Sequence, residues 1–237
     1  YKETLMKCFH APLRHYNADL IDTPHTLDGY QVVFSPFLTT IDEDLQEKAE
    51  AFVRAGGTWI IGPMSGILTE DTSKYTDSPY PFVERFAGVY TKYQKPIANS
   101  VWHAAWQDGS PLGISICYDA LEATDSTPLA TYHGDEFDGF AAITERRIGA
   151  GRVILLGTLP DALAIRRLTG LSPIAEASEN IDLIERSGTH AGLIAIETEN
   201  KPGILTIPGS YRDLIHDRRL CGTVTVKPYE VLVLEAE

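Results

Sequence analysis

The stretch that decides the fold is Phe52-Val-Arg-Ala-Gly-Gly-Thr-Trp-Ile-Ile-Gly-Pro-Met-Ser-Gly66, in which an amphipathic pattern ends at a glycine pair and an apolar run follows. Upstream of the glycines, Asp42 is a good N-cap for a helix predicted over 43–55. The run Thr58-Trp-Ile-Ile-Gly62 predicts a buried strand, and Gln31-Val-Val-Phe-Ser35 predicts another before the helix. Strand, helix and strand with short links are typical of a parallel sheet covered by helices.

The rest of the chain changes character along its length. A near 3.6-residue period predicts a helix over 3–16, whereas residues 97–158 are strand-like with hairpin signals. Beyond residue 177, short apolar runs at roughly ten-residue spacing predict a small antiparallel β domain. We therefore expect an α/β fold with a flavodoxin-like mixed sheet and flanking helices, followed by that β domain. The first sheet is expected to contain the strands 19–23, 31–35, 58–62 and 152–156.

The charge balance excludes several classes of partner. The chain has 33 Asp and Glu against 20 Lys and Arg, a net charge of -13, and no basic cluster longer than a pair. Nucleic acid and anionic membrane surfaces are therefore poor partners. Neither a phosphate-binding glycine motif nor a metal-ligand spacing of Cys or His occurs, so we expect no cofactor and no metal site.

Cysteine usage and the first residue bear on the cellular context. Cys8, Cys117 and Cys221 are widely separated and read as small buried residues in a reducing compartment, which predicts a cytoplasmic location. The chain starts at Tyr1 without an initiator Met. This indicates either a processed protein or a piece of a longer one.

The turn after the central strand has the glycine spacing of a nucleophile elbow. It reads Gly62-Pro-Met-Ser-Gly66, and in such elbows the middle residue is the nucleophile. Here the middle residue is Met64, whose thioether has no proton to lose. Ser65 is one place off and has no His near it in sequence. A structural turn is favoured over a catalytic one.

Other side chains have both a functional and a purely structural interpretation. Glu70-Asp71, in a long loop over 63–81, and Asp135-Glu136 with Asp138 are the best carboxylate clusters for acid/base work, but they also fit solvated loop acids. Two indoles four residues apart could stack on a sugar, or could be aromatics of the core or of a subunit interface. We expect no catalytic residue. The candidate interface or sugar contacts are Met64, Ser65, Glu70, Asp71, Trp102 and Trp106.

Four segments together resemble the non-catalytic part of the β-galactosidases of glycoside hydrolase family 42. They are Asp28-Gly-Tyr-Gln-Val-Val-Phe-Ser-Pro36, the stretch 52–66, residues 139–157 and the tail 222–234. The resemblance implies an amidotransferase-like trimerisation domain over residues 1–176 and a small C-terminal β domain over 177–237. It also implies a homotrimer, and a catalytic barrel as a partner.

The catalytic equipment of that family belongs to the barrel, where the acid/base carboxylate lies in an Asn-Glu pair. This chain has no Asn-Glu dipeptide, and it has no room for a barrel of about 250 residues. The resemblance thus implies the assembly portion of a parent enzyme that hydrolyses terminal β-D-galactosides with retention. One departure is the Ile-Leu-Thr-Glu-Asp sequence after Gly66, where many relatives place an Asp-Glu pair differently. The alternative is a free-standing amidotransferase-like enzyme or sugar-binding module that uses the loop 62–81.

Overall fold

The computed structural model describes residues 13–76, 78, 80–96 and 103–237, except for the side chain of Asp135. These residues form two compact units. We call Ile21–Thr169 the larger unit, and residues 13–20 with Gly170–Glu237 the C-terminal unit. Most of the helix predicted over 3–16 lies outside the described residues, as does Trp102. The division of the chain at residues 176 and 177 stays a prediction.

The described residues are mostly β, with 45% in strands and 14% in helices. Their three α-helices are α1 (Glu43–Arg54), α2 (Pro81–Ala87) and α3 (Ala162–Thr169). The prediction of an α/β, flavodoxin-like or amidotransferase-like mixed sheet with flanking helices is therefore wrong. The prediction failed because only the first strands are joined through a helix. From residue 89 onward the strands of the larger unit pair with one another antiparallel, and hairpins need no crossover helix.

The strands of the larger unit fall mainly into one mixed sheet. They are β1 (Val32–Ser35), β2 (Thr58–Ile61), β3 (Val89–Pro96), β4 (His103–Trp106), β5 (Pro111–Leu112), β6 (Ile114–Ser115), β7 (Cys117–Ala123), β8 (Thr127–His133), β9 (Ala141–Ile148), β10 (Gly151–Leu156) and β11 (Leu159–Pro160). Within the described part of the chain, nine of them form a sheet with the order β1-β2-β10-β9-β8-β4-β5, and β7 pairs with both β9 and β3. A two-stranded sheet joins β6 and β11.

Three of the four strands predicted for the first sheet are confirmed. The strands β1, β2 and β10 lie next to one another, and β2 pairs with both neighbours in parallel. The fourth is wrong, because residues 19–23 have an irregular backbone.

Helix α1 begins and packs as its sequence predicts. The carboxylate of Asp42 accepts a hydrogen bond of 2.8 Å from the backbone N–H of Leu45, which satisfies one of the free donors of the first turn. The buried stripe is Leu45, Ala49 and Val53. Because these residues recur every three or four positions, they share one face and pack on the sheet.

The central strands are buried on both faces, which explains their uninterrupted apolar sequence. Trp59 and Ile61 join a core cluster that also contains the buried apolar residues of α1 and α2. Ile60 points to the opposite face and joins a cluster that contains those of α3. Successive side chains of a strand point to opposite faces, so each strand contributes to both clusters. Full burial of one such side chain contributes about 1.5–3 kcal/mol.

The C-terminal unit contains a six-stranded antiparallel sheet among its described residues. Its strands are β12 (Glu176–Ala177), β13 (Ile181–Arg186), β14 (Gly192–Glu197), β15 (Gly203–Asp213), β16 (Arg218–Val226) and β17 (Val231–Ala236), in the order β12-β15-β17-β14-β13 with β16 beside β15. Residues 13–20 belong here, since the N–H of Leu183 donates to the carbonyl of Arg14 at 2.8 Å. The buried carboxylate of Glu197 accepts from the N–H of Tyr229 at 2.6 Å and fixes a turn.

Candidate functional site

The turn after β2 has the backbone strain of an elbow without its chemistry. Met64 has a φ of 61°, a left-handed conformation that costs a residue with a side chain roughly 1 kcal/mol. Its side chain is 41% exposed. The chain then passes through Gly66 into an irregular loop, whereas a nucleophile elbow continues into a helix. The turn therefore presents a thioether at the place of the nucleophile.

Ser65 holds this turn together. It is buried, and its hydroxyl donates a hydrogen bond of 3.2 Å to the carbonyl of Ser35. The same hydroxyl accepts a bond of 3.1 Å from the N–H of Leu38. Because both interactions connect the loops that follow β1 and β2, the Ser65 hydroxyl is committed to positioning those loops.

A small pocket, partly open to solvent, lies beside the turn. The space within it that water can occupy is about 10 Å³, roughly one water molecule, which is far below the ~300–1,000 Å³ of typical ligand sites. Apolar side chains form much of its lining, and its polar side chains are Ser65, Tyr80, Thr91 and Asp119. The pocket brings Met64 and Ser65 together with residues that the sequence analysis did not identify.

Asp119 is the most unusual of these residues. It is 4% exposed, and its carboxylate accepts a hydrogen bond of 2.9 Å from the hydroxyl of Tyr80. Burial raises the pKa of Asp119 to about 7, and the hydrogen bonds from Tyr80 and Gln94 offset only part of that effect. The signal in the sequence was an acid inside the apolar strand Cys117-Tyr-Asp-Ala-Leu121, where a charge has to be stabilised or neutralised.

The thiol and the two phenols around Asp119 keep their protons at neutral pH. Burial, and then the charge of Asp119, raise the pKa of Cys117 to about 12. The same two causes raise the pKa of Tyr80 and of Tyr132 far above their usual range. The cluster can therefore hold and release a proton, but it offers neither a thiolate nor a phenolate nucleophile.

A second buried carboxyl, that of Glu84, is also committed to structure. It is 7% exposed and accepts a hydrogen bond of 2.8 Å from the N–H of Thr91, and its other oxygen accepts from the hydroxyl of Ser78. Glycoside hydrolysis needs two carboxyls that flank the scissile bond of a bound substrate. Asp119 and Glu84 lie inside the protein with protein partners, so their arrangement does not provide that geometry.

The candidate acids of the loops lie apart from this pocket. Glu70 and Asp71 are exposed in a turn of the long loop, and neither lines the pocket. Glu136 forms an ion pair of 2.7 Å with Lys95, and Asp138 accepts a hydrogen bond of 3.0 Å from the N–H of Gly134. In the part of the chain that the structure describes, no group of three metal-ligating side chains comes together.

Trp106 lies in the core cluster around α3 and is 8% exposed. The guanidinium of Arg167 lies over its ring, 4.2 Å from the centroid, and an ion pair of 2.8 Å with Asp108 holds that guanidinium. This face of the indole is covered within a single chain, so it does not form an open stacking platform.

The described residues form a mostly β module whose clustered acids are either buried and hydrogen-bonded or exposed in loops. The chain belongs to the β-galactosidase trimerisation domain family of glycoside hydrolase family 42, whose model, described as "Beta-galactosidase trimerisation domain", matches residues 2–177. A second model, described as "Beta-galactosidase C-terminal domain", matches residues 199–236. The resemblance drawn from the sequence segments is confirmed.

Similar proteins include the β-galactosidase YesZ of Bacillus subtilis, which is 31% identical over 232 residues. That alignment covers 92% of this chain and 34% of the relative. The β-galactosidase BglY of Alicyclobacillus acidocaldarius is 26% identical over 261 residues, 99% of this chain and 37% of the relative. The chain thus spans about a third of the length of these curated relatives.

Solved structures show the same fold. The β-galactosidase from Bacillus circulans sp. alkalophilus superimposes with a TM-score of 0.88 at 20% identity, over 100% of this chain and 38% of that one. The β-galactosidase from Rahnella sp. R3 gives a TM-score of 0.86 at 19% identity, over 99% and 36% of the two chains. These comparisons give no support to a free-standing amidotransferase-like enzyme or sugar-binding module.

Proposed function

We propose that this chain is the assembly-forming and C-terminal portion of a β-galactosidase whose parent hydrolyses terminal β-D-galactosides. The observation that carries the proposal is the match of one chain to two β-galactosidase modules in sequence order, over residues 2–177 and 199–236. In this proposal the parent's catalytic barrel supplies the retaining carboxylates. The chain contributes contacts between copies and to that barrel.

We propose a homotrimer as the assembly. The family description names trimerisation, and a closed ring of three needs two different complementary patches on each copy. Met64, Glu70 and Asp71 are the proposed contacts, because the side chain of Met64 is 41% exposed and both acids lie in an exposed loop. Ser65 supports this surface from inside the chain through its hydrogen bonds to Ser35 and Leu38, whereas Trp106 lies in the core cluster around α3. A sugar contact through the same loop is the weaker proposal, because its acids lie outside the pocket.

The test of assembly is sedimentation equilibrium or multi-angle light scattering of the purified chain, whose monomer is 26.1 kDa. A species of three chains is expected. The double variant E70R/D71R should shift the population towards monomer, whereas the matched control D44R, an exposed acid of α1, should not. A monomer at high micromolar concentration for the wild-type chain would count against the proposal.

The test of the non-catalytic role is release of nitrophenol from a nitrophenyl β-galactoside. We expect the purified chain to show no turnover, because the four carboxyls buried among the described residues all have protein partners. They are those of Glu84, Asp119, Glu197 and Asp213. Turnover that survives repurification and disappears in E70Q or D71N would refute the proposal and make the loop after Gly66 an active site.

Three further expectations belong to the proposal. The boundary near residues 176 and 177 is supported by the end of the trimerisation-domain match at residue 177.

A cytoplasmic location is supported by Cys117 and Cys221, both free thiols. None of the described helices has the length and hydrophobicity to cross a membrane. The net charge of -13 supports the absence of nucleic acid and membrane partners.

A further inference from the structure

Two histidines lie opposite each other on neighbouring strands of the larger unit. His103 begins β4 and His133 ends β8, and the antiparallel pairing of these strands places the two residues directly opposite. The next pair in the register, Ala104 and Tyr132, is buried, whereas both histidines are exposed. Because opposed residues of two antiparallel strands share a face, both imidazoles lie on the solvent side, with Cβ atoms about 4.5–5.5 Å apart.

The turn that follows β8 brings a carboxylate next to this pair. The N–H of Gly134, which has a φ of 94°, donates a hydrogen bond of 3.0 Å to Oδ1 of Asp138. The same oxygen lies 3.9 Å from Nδ1 of His133. Glu136, another acid of this turn, forms an ion pair of 2.7 Å with Lys95. The backbone of the turn thus orients one carboxylate oxygen, that of Asp138, towards the histidines.

The separation of Asp138 and His133 suits two ligands of one metal ion. Two atoms that each lie about 2.1 Å from an ion in tetrahedral geometry are about 3.4 Å apart. At 3.9 Å the two atoms are too far apart for a hydrogen bond and need only a small shift to bind the same ion. The backbone bond from Gly134 is the kind of support that ligating carboxylates have in metal sites.

His103 completes this arrangement only after its side chain turns. Among the described residues, no three metal-ligating groups already converge. The side chain of His103 is exposed, and exposed side chains change rotamer within picoseconds to nanoseconds. The ion itself would therefore bring the third ligand in, from a strand position directly opposite His133.

We propose that His103, His133 and Asp138 bind one divalent transition-metal ion of the Zn²⁺ class, with water completing its coordination. Imidazole suits Zn²⁺, Ni²⁺ and Cu²⁺, whereas Mg²⁺ and Ca²⁺ select oxygen ligands. The net charge of -13 attracts cations to the chain. The two histidines are 30 positions apart in the sequence, so no short ligand spacing indicates the site.

The bound ion would join β4 to β8 within one chain. Strand β4 pairs with β8 on one side and with only the two residues of β5 on the other, so a metal bridge stabilises a sparsely paired part of the sheet. The site does not rest on the proposed function, because its ligands are distinct from the proposed contacts between copies, Met64, Glu70 and Asp71. Metal binding and assembly are measured separately.

The test is calorimetric titration of the EDTA-treated and dialysed chain with ZnCl₂ at about pH 7.5, where protons compete little for imidazole nitrogen. We expect one Zn²⁺ per chain, and an affinity at least about tenfold lower in H103N, H133N and D138N. The matched control is H190N. His190 is an exposed histidine with a carboxylate partner, Glu235 at 2.6 Å, so this variant should bind Zn²⁺ as the wild type does.

Two further measurements separate this site from other kinds of binding. His103 and His133 are exposed, so the variants H103N and H133N should unfold at the wild-type temperature without metal. Added ZnCl₂ should raise the unfolding temperature of the wild type and H190N, but not that of H103N or H133N. MgCl₂ should raise none of them.

Several outcomes would overturn the site. They are the absence of Zn²⁺ binding by the wild type at submillimolar concentration, equal affinities of H103N and the wild type, and one Zn²⁺ per two chains with a doubled mass in light scattering. The last result would mean that the ion joins two copies. A monomer that binds one Zn²⁺ through these histidines refutes only the proposed assembly, and a trimer without Zn²⁺ binding refutes only the metal site.

Discussion

Arg167 lies over the indole of Trp106, with its guanidinium carbon 4.2 Å from the ring centroid, and a 2.8 Å ion pair with Asp108 holds it there. We expect R167A to lower the free energy of unfolding by about 1 kcal/mol, because the ring loses both a cation–π contact and its cover. R167K keeps the charge but not the planar stack, so its free energy of unfolding should lie between those of the wild type and R167A. Urea unfolding followed by tryptophan fluorescence measures the change. Equal stability of R167A and the wild type would show that the contact contributes nothing.

The buried carboxyl of Asp119 predicts how stability changes with pH. Its pKa is about 7 in the native state, raised by burial from an ordinary value of 3.8. Between these values the native state holds a proton that the unfolded state has released, so this group makes the free energy of unfolding fall as pH rises, by roughly 1 kcal/mol per pH unit. Above about pH 7 both states are ionised and the fall ends.

Urea titrations of the wild type and D119N at several pH values measure this effect as a difference. The wild type should lose stability relative to D119N as pH rises from about 4 to 7, and the gap should stay constant above that range. Parallel curves for the two proteins would mean that Asp119 is ionised throughout.

The left-handed backbone at Met64 predicts a stabilising glycine. With a φ of 61°, Met64 occupies a conformation that glycine adopts without strain. M64G should be about 1 kcal/mol more stable than M64A, which removes the same side-chain contacts but keeps the strained Cβ. Thermal unfolding of the two variants measures the difference. M64A more stable than M64G would mean that the strain is relieved elsewhere.

Gly151 begins β10 where the hairpin approaches the end of α1. A Cβ at this position would lie 2.1 Å from the carbonyl oxygen of Val53 and 2.3 Å from that of Gly57. Because both are backbone atoms, G151A should destabilise the larger unit by about 3 kcal/mol. G209A is the matched control, since its nearest heavy atom is 3.7 Å away on a side chain. The midpoints of chemical unfolding report both changes, and similar values for the two variants would contradict the packing described.

Local patterns in the sequence were sufficient for several elements. Helix α1, its cap at Asp42 and the strands β1, β2 and β10 follow from periodicity and capping, because these depend on residues within one or two turns. The expected strand 19–23 failed although its residues resemble those of a strand, because strand formation also requires a partner at the sheet edge.

Some features of the candidate site could likewise be predicted from the sequence, and others could not. The absence of a nucleophile at Met64 is visible in the sequence, since it depends only on which residue occupies the turn. The burial of Trp106 under Arg167 is not visible in the sequence, because the two residues are 61 positions apart and meet only when α3 packs on the sheet. Asp119 and Tyr80 likewise come from distant segments, and nothing local sets the pKa of a carboxyl that burial controls.

The sequence by itself therefore determined the first strand–helix–strand unit, the chemistry missing from the elbow and, through its segments, the β-galactosidase family. The tertiary structure alone decided that the module is mostly β, and that two buried carboxyls anchor the loop after Gly66. The physical reason is the distance along the chain over which each effect acts. Propensity, capping and side-chain chemistry act between neighbours in the chain, whereas strand pairing and desolvation depend on contacts that exist only after the chain has folded.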